Sequence, residues 1–214
     1  MYSYTAWFVS AAVMVFSFGP GGARATAQTT YEFEATYDTE VNIVPIISDL
    51  SAVTEAGKST DAPYGLTQYD GLVYAQTDLN TGFLTFNSDP ATVGLENQPF
   101  GYIVFSGSGN NKLFGTADAT ALIDFKNLTA AGSGIINITG GEGIFTGASG
   151  ILDFSEDDIV NPEPTFPSLR GKASVSGTIQ AVPEPGTVTG MLVSIGAIGA
   201  GVLRHRRRSH GACG

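Results

Sequence analysis

The chain has 214 residues, a formal net charge of −10, 14% charged residues, 28 Gly and 1 Cys. That length allows one domain of ordinary size plus targeting segments, and few charges with many Gly and short apolar runs point to an all-β extracellular domain rather than a cytosolic enzyme. The acidic balance argues against a partner built of phosphates, and a single Cys excludes a disulfide framework.

Ala6 to Phe18 reads AWFVSAAVMVFSF. This apolar run is short for a membrane span and right for the h-region of a signal peptide. Gly19-Pro20-Gly21-Gly22 ends any helix there. Ala23-Arg24-Ala25 and Ala25-Thr26-Ala27 both have the small-x-small form that signal peptidase accepts. Cleavage is expected after Ala27, leaving Gln28 first. No Lys or Arg precedes the h-region, so only the α-amino group is positive there. Residues 1–27 are therefore read as a signal peptide with a helical h-region.

The stretch 28–181 holds five basic residues (Lys58, Lys112, Lys126, Arg170, Lys172), while every acidic residue of the chain except Glu184 lies within it. Tyr31, Phe33, Ala35 and Tyr37 alternate with Glu32, Glu34, Thr36 and Asp38. At the far end Ala173, Val175, Gly177, Ile179 and Ala181 alternate with Lys172, Ser174, Ser176, Thr178 and Gln180. A period of two predicts strands with one buried and one wet face. Shorter candidates lie between: Leu50–Ala56, Leu66–Gln76, Gly82–Phe86, Tyr102–Ser106, Lys112–Thr116, Ala119–Phe125, Gly134–Thr139 and Gly150–Phe154. Turn signals are Asp70-Gly71, Asn80-Thr81-Gly82, Ser88-Asp89-Pro90, Gly107 to Asn111 and Gly140-Gly141. The expected fold is an antiparallel β-barrel, with a β-sandwich as the alternative. Closure removes exposed strand edges, a need in an exported domain with no disulfide. The aromatics Tyr64, Tyr69, Tyr74, Phe83, Phe86, Phe100, Tyr102 and Phe105 can stack on sugars at a rim or fill the core, and core filling is the expectation.

Ile138 to Leu152 reads ITGGEGIFTGASGIL. Gly140, Gly141 and Gly143 make a tight corner, Phe145 can plug a barrel end, and Gly147 and Gly150 let the chain reverse. The segment resembles the Gly-Gly-x-Gly-x-Phe-x-Gly-x-x-Gly hairpin of the allene oxide cyclase and dirigent barrel superfamily. That resemblance implies a fold, not an activity. Next come Asp153 and Glu156-Asp157-Asp158, which can offer oxygen ligands to calcium but lack the spacing and Gly of an EF-hand loop. They are expected to form a solvated acidic loop.

His205 and His210 lie beyond residue 203, so stretch 28–181 has neither His nor Cys. That removes Ser-His-Asp and Cys-His catalysis and ordinary zinc, copper and haem sites; no cofactor is expected. A pair of glycosidase-type carboxylates is left open.

The C-terminal part has three pieces in order. Val182-Pro183-Glu184-Pro185 is extended, because each Pro restricts its predecessor and lacks an amide donor. Thr187 to Leu203 is uncharged and, as a helix, about 26 Å long, near the thickness of a hydrocarbon core. Arg204, Arg206, Arg207 and Arg208 follow, and such a cluster stays cytoplasmic. The expected topology leaves 209–214 as a cytoplasmic tail. This combination resembles the PEP-CTERM sorting signal, over 182–208. Pro162-Glu163-Pro164 has no span after it and so lacks the combination. The resemblance implies an exported bacterial protein, held in the inner membrane until exosortase removes the signal, then placed at the cell surface or in extracellular polysaccharide or biofilm matrix. A non-enzymatic matrix component is the expected role. The alternatives are a barrel binding a small apolar ligand and a carboxylate-dependent glycan enzyme.

Overall fold

A computed structural model describes residues 28–163 and 168–182. The expected signal peptide at 1–27, the expected span at 187–203, the arginine cluster and the tail at 209–214 lie outside the described residues, as do Pro183, Glu184 and Pro185. Among the described residues no helix is long and apolar enough to cross a membrane.

Nine strands form one antiparallel sheet: β1 Thr29–Ile47, β2 Leu50–Lys58, β3 Gln68–Asp78, β4 Phe83–Asn87, β5 Tyr102–Ser106, β6 Lys112–Asp124, β7 Thr129–Glu142, β8 Ser149–Val160 and β9 Leu169–Ala181. The neighbours run β2-β1-β9-β8-β7-β6-β4-β3-β5, and the further pairings β2–β3 and β6–β5 close them into a ring. β4 and β5 share one place in it. Each pairs with β3 on one side and β6 on the other, β5 through Gln68–Leu72 and β4 through Tyr74–Asp78 of β3. The all-β, antiparallel expectation holds, and the sheet is ring-like rather than two stacked layers.

The long outer strands follow their sequence period. On β1, Phe33, Ala35, Tyr37, Thr39 and Val41 are buried while Glu32, Glu34, Thr36, Asp38 and Glu40 are exposed. On β9, Ala173, Val175, Ile179 and Ala181 are buried. Their wet faces carry cross-strand ion pairs, Lys172 with Asp38 and Arg170 with Glu40. Such exposed pairs are worth only a few tenths to about 1 kcal/mol each; their use here is that they keep basic groups outside.

Three details differ from the expectations. Lys112–Thr116 and Ala119–Phe125 belong to one strand, β6, bent by an irregularity where Phe114 faces Gly140 but Gly115 faces Ile138. Asp70-Gly71 does not turn; it lies inside β3, paired with β2 on one side and β5 on the other. A Cβ at Gly71 would stand 3.0 Å from Ile103 Cδ1, so the glycine serves close packing. The acidic segment after Phe154 is not a loop either, because β8 runs on to Val160.

The interior has two apolar ends. Phe33, Tyr37, Leu66, Tyr69, Phe105, Phe145 and Ile179 fill one. Val41, Val53, Ala75, Leu84, Ala130 and Leu169 fill the other. Outside the ring, the segment after β4 folds back, and Val93 and Leu95 bury Tyr74, whose hydroxyl donates to the Pro99 carbonyl at 2.7 Å.

Candidate functional site

Between the two apolar ends lies a chamber of about 80 Å³ lined from most of the strands. Its β6–β7 wall is small: Ala117, Ala119, Ala121, Ala130 and Gly132. Its polar corner holds Glu55 of β2 with Glu156 and Asp158 of β8. These strands are not neighbours. β9 and β1 lie between them. What lets the β8 carboxyls reach across is the size of the β9 residues beside them: Glu156 faces Ala173, and Asp158 faces Gly171. A Cβ at Gly171 would overlap the Asp157 carbonyl oxygen and Asp158 Oδ1. Gly171→Ala is therefore expected to displace Asp158 and destabilise the fold by about 1–3 kcal/mol, the usual cost of overpacking. Denaturant unfolding measures it, and a midpoint unchanged from the parent would refute this close fit.

Two donors orient the corner. The Thr39 hydroxyl donates to Glu156 Oε1 at 2.6 Å, and the Tyr69 hydroxyl donates to Glu55 Oε2 at 3.1 Å. The Glu156 carboxyl lies within hydrogen-bonding reach of those of Glu55 and Asp158. Glu55 Oε1 and Asp158 Oδ1 are sealed and receive no N–H or O–H from the described residues. Glu55 as a whole is half-buried, with Oε1 enclosed, and it lines the chamber.

Burial first, and neighbouring negative charge second, push these acids up. Glu55 is held well above the ordinary carboxyl range, with Tyr69 opposing part of the rise. Glu156 is raised by its burial, which Thr39 and the two carboxyls beside it partly offset. Asp158 is pushed up to about 7, by burial and then by Glu156. Three carboxyls gathered around Glu156 in an apolar chamber resist ionising together, so the cluster retains protons that the separate residues would have lost. A retained proton also supplies the donor that the sealed oxygens lack.

The residues singled out from sequence fall in different places. Asp153 and Asp157 point to solvent while Glu156 and Asp158 point inward, so the four do not converge on one calcium. Among the described residues no group of three acidic side chains is arranged to hold a metal ion. Glu55 and Thr39 carried no sequence signal of a site; Glu55 is in phase with buried Val53, which is the one hint available. Of the hairpin residues, Gly140 and Gly141 lie in β7, Gly143 and Gly147 take positive φ of 68° and 66°, and Gly150 opens the β8 pairing with Ile138. Phe145 is fully buried at the aromatic end. Among the aromatics, Tyr69, Tyr74 and Phe105 are buried, whereas Tyr64, Phe83, Phe100 and Tyr102 are exposed.

Ala25 and Ala27, the expected cleavage residues, are outside the described part, and Gln28 precedes β1. At the other terminus Ala181 ends β9 opposite Thr29, and Val182 follows. No curated protein and no solved structure matches the chain. The likeness to dirigent-type barrels thus rests on the hairpin segment alone. Residues 181–208, in contrast, match the family described as the PEP-CTERM protein-sorting motif. The match starts at the last residue of the barrel wall and runs through the final arginine of the cluster, so this chain carries the sorting signal of an exported exosortase substrate.

Proposed function

We propose that this protein is a non-enzymatic surface module, delivered by exosortase and retained in the extracellular polysaccharide matrix. The observation that carries the reading is the junction itself: β9 closes the ring at Ala181, and the sorting motif begins at that residue. A strand paired with both β1 and β8 is shielded from a protease, so the proposed cut falls beyond Val182. The cut leaves the barrel whole.

The interior supports a role without catalysis on glycans. Glu156 lies within hydrogen-bonding reach of Glu55 and Asp158 inside the ring, whereas glycosidase carboxyls stand about 5–9 Å apart across a groove that admits a sugar. A chamber of about 80 Å³ is also about half the ~150 Å³ that benzene occupies in an engineered cavity, too small for a drug-sized apolar ligand.

Intact mass of the protein from envelope and medium, with and without the host's exosortase, tests the processing step. Loss of the residues after about Pro185 is expected only with the enzyme present. A mass that keeps Leu203 and the arginines in both strains would mean a permanent inner-membrane anchor. Co-fractionation of the processed form with purified extracellular polysaccharide tests retention, and release of all protein by a low-salt wash would refute it.

A further inference from the structure

The outer face of β3 and β4 carries a second concavity. Leu84 and Phe86 line the chamber, so the alternate residues Phe83 and Thr85 face outward, as Gln76 does on β3. With Ser48 and Asp49 of the β1–β2 turn they line an open cleft of about 530 Å³, within the range of about 300–1,000 Å³ usual for small-molecule sites. Phe83 is 44% exposed although it is a large apolar ring. The same cleft is lined by two amides, Gln76 and Asn80, by the Asp49 carboxylate and by Thr85. Gln76 Nε2 donates to Asp49 Oδ2 at 3.2 Å, and the Thr77 amide donates to the Asp49 carbonyl at 2.9 Å. The polar side is thus held in place without a ligand, which lowers the ordering cost of binding. Ser48 has a φ of 47°, in the left-handed region that a non-Gly residue adopts at a cost, and such costs gather at binding sites.

We infer that this cleft binds a neutral oligosaccharide, with a sugar ring on the face of Phe83 and its hydroxyls on Asp49, Gln76 and Asn80. The inference rests on the proposed retention in polysaccharide and names the site for it. A sugar ring has an apolar C–H face and an edge of hydroxyls, each of which can donate and accept. The cleft offers the counterpart: an aromatic ring, and carboxylate and amide groups whose mutual bond uses only part of their capacity. No basic side chain lines it, and Asp49 and Asp78 add negative charge, so an anionic saccharide is disfavoured. An extended peptide is disfavoured too, because β3 and β4 are each paired on both sides here and present no edge for a further strand. The cleft also stays clear of the sorting segment. The β1–β2 turn is at the far end of β1 from Thr29, the partner of Ala181.

The test is isothermal titration calorimetry on the full chain in detergent. The probes are short oligosaccharides freed by mild acid from the host's extracellular polysaccharide and divided by anion exchange into neutral and anionic fractions. The neutral fraction is expected to bind saturably, with an affinity unchanged by added sodium chloride. Phe83→Ala is expected to weaken binding about tenfold or more, and Gln76→Ala about threefold to tenfold, the usual effects of losing a central aromatic and a hydrogen bond. Phe100→Ala removes a ring that is 61% exposed but outside the cleft, and it is expected to leave the affinity unchanged. Should Phe83→Ala fold poorly, Gln76→Ala, at an exposed position, still decides. Absence of saturable binding by the neutral fraction, binding of the anionic fraction alone, or equal affinity in the parent and both cleft variants overturns the inference. Co-fractionation with the whole polysaccharide separates the cleft from the retention reading. Equal retention of the parent and Phe83→Ala discards the cleft and keeps retention. Oligosaccharide binding by a parent that the polysaccharide does not hold keeps the cleft and discards retention.

Discussion

Asp158→Asn is expected to raise the melting temperature by about 5 °C at pH 8 and to change it little at pH 4. The sign follows from proton counting. Asp158 holds its proton up to about pH 7 in the folded protein, because it is buried and because Glu156 is beside it. In the unfolded chain an Asp loses that proton near pH 4. Between these values the folded state binds more protons than the unfolded one, so stability falls as pH rises. The loss is complete once pH exceeds the folded value. Its size is on the order of 2 kcal/mol, from ~1.4 kcal/mol per pKa unit, halved for the solvent that still reaches the group. An amide keeps the shape and removes the titration, so the variant escapes the loss. Glu55→Gln should act in the same direction, since burial and Glu156 hold Glu55 up as well. Thermal melts of parent and variants from pH 4 to pH 8 measure this. A parent that gains stability across that range, or an Asp158→Asn variant that tracks the parent at every pH, would show that the cluster is solvated and carries no strain.

Phe145→Ala is expected to cost about 3–5 kcal/mol, the usual range for emptying a buried Phe site, and to lower Tm by about 10 °C. Phe145 has no exposed surface, and Tyr31 and Tyr64 pack edge-on against it at 5.2 and 5.5 Å between ring centres. The plug is also the meeting point of three loops. Tyr64, at φ 60°, donates its hydroxyl to the Glu32 carbonyl, and its own carbonyl accepts from Asn111, whose Oδ1 takes the Ile144 amide. Removing the ring thus leaves a hole under that network. Ile144→Ala is the control, because Ile144 is 42% exposed and surface changes usually stay within about 0.5 kcal/mol. If the two variants melted together, the corner would be a turn without a packing role.

The strands of β1 and β9 were legible because each has one face in water along its whole length, and that imposes the period of two. The corner at Gly143 to Gly150 was legible because its positive-φ positions are occupied by Gly. The sorting motif was legible for a similar reason, since Pro-Glu-Pro, an uncharged stretch and an arginine cluster are a pattern of residue types in one short segment. Asp70-Gly71 misled: its turn preference is a small local term, outweighed by pairing on both sides of β3. Glu156 and Asp158 misled more. They continue the phase of Leu152 and Phe154, yet three adjacent acids read as a wet loop, because an isolated carboxyl pays heavily for burial. Only the folded ring shows how that cost is shared. It brings Glu55 from β2 to the β8 acids across Gly171 and Ala173, with Thr39 and Tyr69 as donors, and protons held in common. Periodicity along one strand tells which side chains face inward; which of them meet depends on ring closure and on the small residues between, and neither is a property of any single segment.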